Sequence, residues 1–131
     1  MPQLRITEAA ELLGVSDDTV RRWAEAGRLP TTKADNGRLV VEGADLAELA
    51  RSLAEAPAPG TVIAASARNR FRGIVTRVVT DTVMAQVDVQ AGPFRVVSLL
   101  SREAVEELAL APGSIVVATM KATNVGIEVP Q

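Results

Sequence analysis

Residues 4–30 read LRITEAAELLGVSDDTVRRWAEAGRLP, and their apolar spacing decides the first half of the chain. Thr7 stands where a helix N-cap is expected, a helix follows over 8–13, and Gly14 supplies a left-handed stop. Ser16 caps a second helix, with Asp17 and Asp18 favourably placed at its positive end. Val20, Trp23 and Ala24 recur at helical steps and should face inward, and Gly27 ends the helix. Two short helices joined by a tight glycine turn form a helix-turn-helix.

Beyond this pair comes TTKADNGRLVV (31–41), where Asn36-Gly37 between short β-prone runs predicts a tight hairpin. Asp45 then caps a third helix whose Leu46, Leu49 and Leu53 share one face. Pro57, Pro59 and Gly60 in AEAPAPGT (54–61) stop that helix. They divide the chain into a domain over 1–55, a linker over 56–64 and a second domain over 65–131.

After the boundary the period changes. GIVTRVV (73–79), VMAQVDV (83–89), FRVVSLL (94–100), IVVATM (115–120) and VGIEV (125–129) read as five strands. In the second of them Val83, Ala85, Val87 and Val89 alternate with Met84, Gln86 and Asp88, the pattern of a half-buried antiparallel strand. Ser101 caps a short helix, REAVEELAL (102–110), before the fourth strand. The expected fold class is α+β: a small winged helix-turn-helix, then a five-stranded barrel of oligomer-binding (OB) type with one short helix.

Composition narrows the chemistry. The 131 residues contain no cysteine and no histidine, which excludes disulfides, Cys/His zinc sites, thiol nucleophiles and imidazole acid–base catalysis. No apolar run reaches spanning length and no signal peptide is visible, so a cytoplasmic protein without a membrane partner is expected. Net charge is −2 overall. It divides into −3 for residues 1–56 (seven Lys/Arg, ten Asp/Glu) and +1 for 57–131 (seven and six). No nucleophile–base pair or cofactor loop suggests an enzyme.

Residues 4–53, with their Gly-Arg-Leu-Pro step into the hairpin, resemble the DNA-binding half of the MerR and excisionase families. The resemblance implies that the second helix enters the major groove and that the hairpin, as a wing, touches the DNA backbone. Carried over by position, Ser16, Thr19, Arg21 and Arg22 lie on or near the exposed face of the recognition helix. Lys33 and Arg38 lie in the wing. Family wings are often strongly basic, whereas this one carries Asp35. With so few cations per chain, useful affinity needs at least two copies.

Residues 65–130 resemble the molybdate-binding Mop domains, also called molbindins or TOBE domains. SARNRFRGIV at the start, SREAVEELAL-APGS in the middle and MKATNVGIEV at the end carry the resemblance. It implies an oxyanion ligand, molybdate or tungstate. Such tetrahedral dianions present acceptor oxygens only, so a site needs donors, positive charge and no carboxylate nearby. Ser66 and Thr123 offer hydroxyls, Arg68 and Lys121 offer charge, and backbone N–H groups around Ala67 and Ala122 add donors. Asn69 either joins them or fixes the turn into the strand. Ser98 and Ser101 correspond to a region contributing further anion sites in molbindins, although Ser101 also has a sufficient role as an N-cap. Mop-type sites lie between copies, which implies that Ser66 and Arg68 of one chain meet Lys121 and Thr123 of another in a homo-oligomer, a dimer or a hexamer. The combined expectation is a molybdate- or tungstate-responsive transcriptional regulator. The alternatives are an oxyanion-storage protein whose helix-turn-helix serves assembly, and an excisionase-type architectural DNA protein.

Overall fold

The computed structural model describes residues 2–54 and 68–130. The chain divides into two units, Met1–Ala58 and Pro59–Gln131. The expected linker over 56–64, together with Ser66 and Ala67, lies outside the described residues.

In the first unit, strand β1 (Gln3–Arg5) leads directly into helix α1 (Ile6–Leu13). The helix begins two residues earlier than expected, with Arg5 rather than Thr7 at the N-cap position. Glu8 is the reason: its carboxylate accepts from the Arg5 backbone N–H at 3.2 Å and from Arg5 Nε at 3.1 Å, closing the first turn around Arg5. Gly14 ends α1 at φ 67°, a left-handed conformation that glycine adopts without strain. Helix α2 (Asp17–Glu25) is capped by Ser16, whose side chain accepts from the Thr19 N–H at 3.2 Å. Strands β2 (Thr32–Lys33) and β3 (Leu39–Glu42) form the hairpin, with Arg38 N donating to Asn36 Oδ1 at 3.0 Å and Gly37 at φ 81°. β1 adds to the far side of β3, so the sheet order is β1-β3-β2.

Helix α3 (Gly43–Leu53) starts two residues before the expected Asp45 cap. Glu42 occupies the N-cap position, and the Gly43 N–H donates to the Pro2 carbonyl at 2.8 Å. Asp45 instead sits in the first turn. Ile6, Ala9, Ala10, Val20, Leu29, Val41, Leu46 and Leu49 form one buried cluster, with Leu4, Leu13, Val15 and Trp23 packed against it. Val20 and Trp23 therefore face inward, as the helical register requires.

In the second unit one long strand organises the rest. β4 (Asn69–Thr80) pairs along 69–74 with β7 (Ile115–Met120) and along 74–80 with β5 (Met84–Ala91). β6 (Phe94–Ser101) pairs with β5, giving the antiparallel order β6-β5-β4-β7. A bulge between Val75 and Arg77 shifts the register and bends the strand, curling the sheet into a half-barrel. Gly73 sits where β4 presses on β5: a Cβ there would stand 2.5 Å from the Gln90 carbonyl oxygen and 2.7 Å from Val89 Cγ1. The core is Val75, Ala85, Val87 and Val89, closed from below by Val105 of helix α4 (Arg102–Glu107).

Three expectations are corrected here. α4 stops at Glu107, short of residue 110, because Ala109 turns left-handed at φ 52° and the Leu110 N–H bonds back to the Val105 carbonyl. β5 is covered on both faces around Asp88, which is only 5% exposed. Arg95 Nε and Nη2 donate to its Oδ2 at 3.1 and 2.9 Å, and Gln86 Nε2 donates to Oδ1 at 3.0 Å. Finally, the sheet has four strands: residues 125–129 make no ladder pairing with any described strand, and Ile127 and Val129 are 86% and 84% exposed. A strand needs a neighbouring edge for its backbone groups, and this segment finds none within the described chain.

Candidate functional site

The register between β4 and β7 places Asn69 opposite Met120. Asn69 Nδ2 donates to the Met120 carbonyl at 3.4 Å across fifty-one residues of sequence. Arg68 immediately precedes this pair on one strand and Lys121 immediately follows it on the other. The two polar segments quoted above thus arrive at the same end of one chain's sheet. The Asn69 bond therefore ties two strands together rather than fixing the turn into its own strand.

The chain then leaves β7 in a short 3₁₀ turn over Ala122–Asn124, closed by the Asn124 N–H on the Lys121 carbonyl at 2.9 Å. Arg68, Lys121, Ala122, Thr123 and Asn124 are all exposed. Among the described residues neither Arg68 nor Lys121 takes part in an ion pair. Chemically this corner offers two cations, a hydroxyl and an amide with no carboxylate between them, a donor set suited to a proton-free oxyanion. Ser101 is elsewhere: it pairs with Met84, toward the Thr80 end of β4, and its side chain accepts from the Ala104 N–H at 3.0 Å as the α4 cap.

The concave face of the half-barrel holds an apolar cavity of about 380 Å³, lined by Val87, Val89, Leu100, Leu110 and Val116, with Met120 at its edge. Ser98 also lines it. Periodicity alone did not reveal this cavity, because its walls are the alternate residues assigned to a closed core.

In the first unit, Ser16 and Thr19 bond to each other through their hydroxyls at 3.0 Å and hold the start of α2. Arg21 approaches Asp18 at 3.6 Å, with both side chains largely exposed. Arg22 and Lys33 are exposed. Arg21 and Arg38 line one shallow cavity together with Arg5, a residue that the sequence pattern did not single out.

Residues 65–127 match the family model of the TOBE domain, and residues 4–54 match that of a helix-turn-helix domain. A molybdate-binding protein from Sporomusa ovata has a solved structure that is 30% identical, with a TM-score of 0.50, covering 51% of this chain and 100% of its own. The chain belongs to the TOBE family. It carries that TOBE domain behind a helix-turn-helix domain. MopII from Clostridium pasteurianum is 33% identical over 50% of this chain and 100% of its own, with a TM-score of 0.48. ModG, a cytoplasmic molybdate-binding protein, is 38% identical over 51% of this chain and 48% of its own, with a TM-score of 0.49. No curated protein matches the chain. Both matched families are binding or regulatory domains. No helix among the described residues is long and apolar enough to cross a membrane.

Proposed function

We propose that the protein is a cytoplasmic molybdate- or tungstate-responsive, DNA-binding transcriptional regulator. The observation that carries the anion reading is the Asn69–Met120 pairing, which assembles Arg68 and Lys121 at one carboxylate-free corner of the TOBE domain. Ser66 and Thr123 hydroxyls, with backbone N–H groups around Ala67 and Ala122, complete the donor set around a tetrahedral dianion. That corner is exposed on a single chain, and a dianion surrounded on one side only keeps most of its water. A second copy supplies the missing wall, so the anion lies between TOBE domains of a homo-oligomer. The exposed row Val125, Ile127 and Val129 supports the same assembly: packed against another copy, it provides the fifth strand and closes the barrel.

The DNA reading rests on the helix-turn-helix match and on Arg21, Arg22, Lys33 and Arg38, with α2 as the recognition helix and the hairpin as its wing. Anion binding regulates DNA binding if the two arrangements of the helix-turn-helix heads, one favouring DNA and one not, differ in anion affinity, the condition for any linkage between two sites. One observation favours a storage or homeostasis protein instead: the formal charge of residues 1–56 is −3, which opposes DNA at long range.

Calorimetry on anion-free protein with molybdate, tungstate and sulfate tests the first half of the proposal. Binding of molybdate or tungstate is expected and should be lost in Arg68→Ala and in Lys121→Ala. Mixing those two variants should restore no binding, because the Arg68 and Lys121 of one corner belong to the same chain and every corner of the mixture lacks one of them. Recovery would show instead that Arg68 of one chain meets Lys121 of another. No heat with any anion would end the oxyanion reading. Retardation of the protein's own upstream DNA, with and without molybdate, separates the regulator from the storage protein.

A further inference from the structure

The cavity shared by Arg5, Arg21 and Arg38 is also lined by Ile6, Thr7 and Leu39, with a volume of about 370 Å³. Its three arginines come from three separate elements: the cap of α1, the exposed side of α2 and the hairpin after its turn. Like charges gathered in one concavity repel, so the arrangement favours an anionic occupant. The carboxylates nearby are weak competitors. Arg5 meets Glu8 through Nε at 3.1 Å and Arg21 meets Asp18 at 3.6 Å, both in largely exposed pairs, and exposed pairs contribute little. Arg38 takes part in no ion pair among the described residues. A second concavity of the same unit shows the contrast: there Arg28 shares the walls with Asp45 and Glu48, which would repel an anion.

From this geometry we infer that Arg5, Arg21 and Arg38 form a seat for one backbone phosphodiester of duplex DNA, with Arg5 as its third cation. The inference rests on the DNA-binding reading above and deepens it. A cavity whose walls combine three arginines with the apolar Ile6 and Leu39 fits a phosphodiester with its sugar better than a free, fully hydrated phosphate. Arg21 links the seat to the exposed side of α2, so a phosphate held here would fix the register of that helix in the adjacent groove. Phosphate contacts position a protein without reading sequence. The seat therefore contributes affinity to every duplex alike.

The test measures affinity for a duplex from the upstream region and for a duplex of unrelated sequence, across a range of salt concentrations. Arg5→Gln should weaken both by roughly five- to tenfold near 0.1 M salt and lower the slope of log affinity against log salt by about 0.9, the signature of one lost phosphate. Arg38→Gln should do the same, Arg5→Lys should retain most of the slope, and Arg28→Gln should change neither quantity. Unaltered thermal unfolding of each variant shows that the fold is intact. If Arg5→Gln binds with the original slope while Arg22→Gln is weakened, the seat is wrong and the DNA reading stands. If the unsubstituted chain is retained by neither duplex at roughly 0.05 M salt, the DNA reading fails and takes the seat with it.

Discussion

The helix-turn-helix unit closes its core on itself, whereas the TOBE unit does not. In the first, three helices and a small sheet each turn an apolar side toward one cluster, and Leu29 and Val41 are essentially sealed from water. In the second, only the central strands are sealed. The outer strands and the C-terminal segment leave large apolar side chains in solvent: Leu99 is 68% exposed and Ile127 is 86% exposed. Apolar side chains left in solvent along an open sheet are what the proposed assembly would cover. The comparison teaches that the first unit buries its own apolar surface, while the second leaves apolar side chains that the proposed second copy would cover.

Three substitutions or conditions probe that contrast, beginning with the largest expected effect. Leu29→Ala removes a fully buried side chain from the closed core and should cost about 2–5 kcal/mol of stability in the first unit. Urea unfolding followed by Trp23 fluorescence reads this unit selectively, because the chain's single tryptophan packs against that core. A loss below 1 kcal/mol, by the same cavity reasoning, would mean that the core is looser than its burial indicates.

Ile127→Asp probes the open unit. An exposed side chain of a lone chain can be changed within about 0.5 kcal/mol of neutrality. An isoleucine buried between copies carries about 1.5–3 kcal/mol, enough to raise the dissociation constant of the assembly more than tenfold. Sedimentation over a dilution series should show the variant dissociating. Unchanged sedimentation would remove the completed barrel and leave the two units alike.

Acid gives the smallest effect. Asp81 accepts from the backbone N–H groups of Met84 and Val83 at 2.7 and 2.8 Å, which hold its carboxyl below the usual aspartate value. Asp88 is held low chiefly by Gln86 and then by Arg95. A folded value below the unfolded one means stabilisation that is fully present above about pH 4 and is lost as pH falls through the folded value. In the first unit Glu8 is lowered in the same sense, by the Arg5 backbone N–H first and then by the Arg5 side chain. The second unit should thus lose melting temperature faster below pH 4. Asp81→Asn and Asp88→Asn should each flatten that decline, and a parallel decline in all three proteins would break the assignment.

Local signals carried much of the chain. Ser16 and Ser101 cap the helices that their types and positions indicated, because a cap is a contact between residues three apart. Asn36-Gly37 makes the hairpin turn for an equally local reason. Thr7 and Asp45 were misjudged as caps because Glu8 and Pro2 supply competing bonds. The Pro2 contact reaches from the far end of the unit and leaves no mark near residue 45.

By itself, then, the sequence determined the periods, the turns, the two halves and the donor-rich segments SARNRF and KATNV. These are properties of neighbours along the chain, set by sterics and short-range hydrogen bonds. Only the tertiary structure decided that Asn69 stands beside Met120, that Arg5 joins Arg21 and Arg38, and that residues 125–129 have no ladder partner among the described strands. Each of these depends on strand register or on packing between distant segments. A single-residue slip would turn every side chain to the other face, and no local pattern of residue types fixes it.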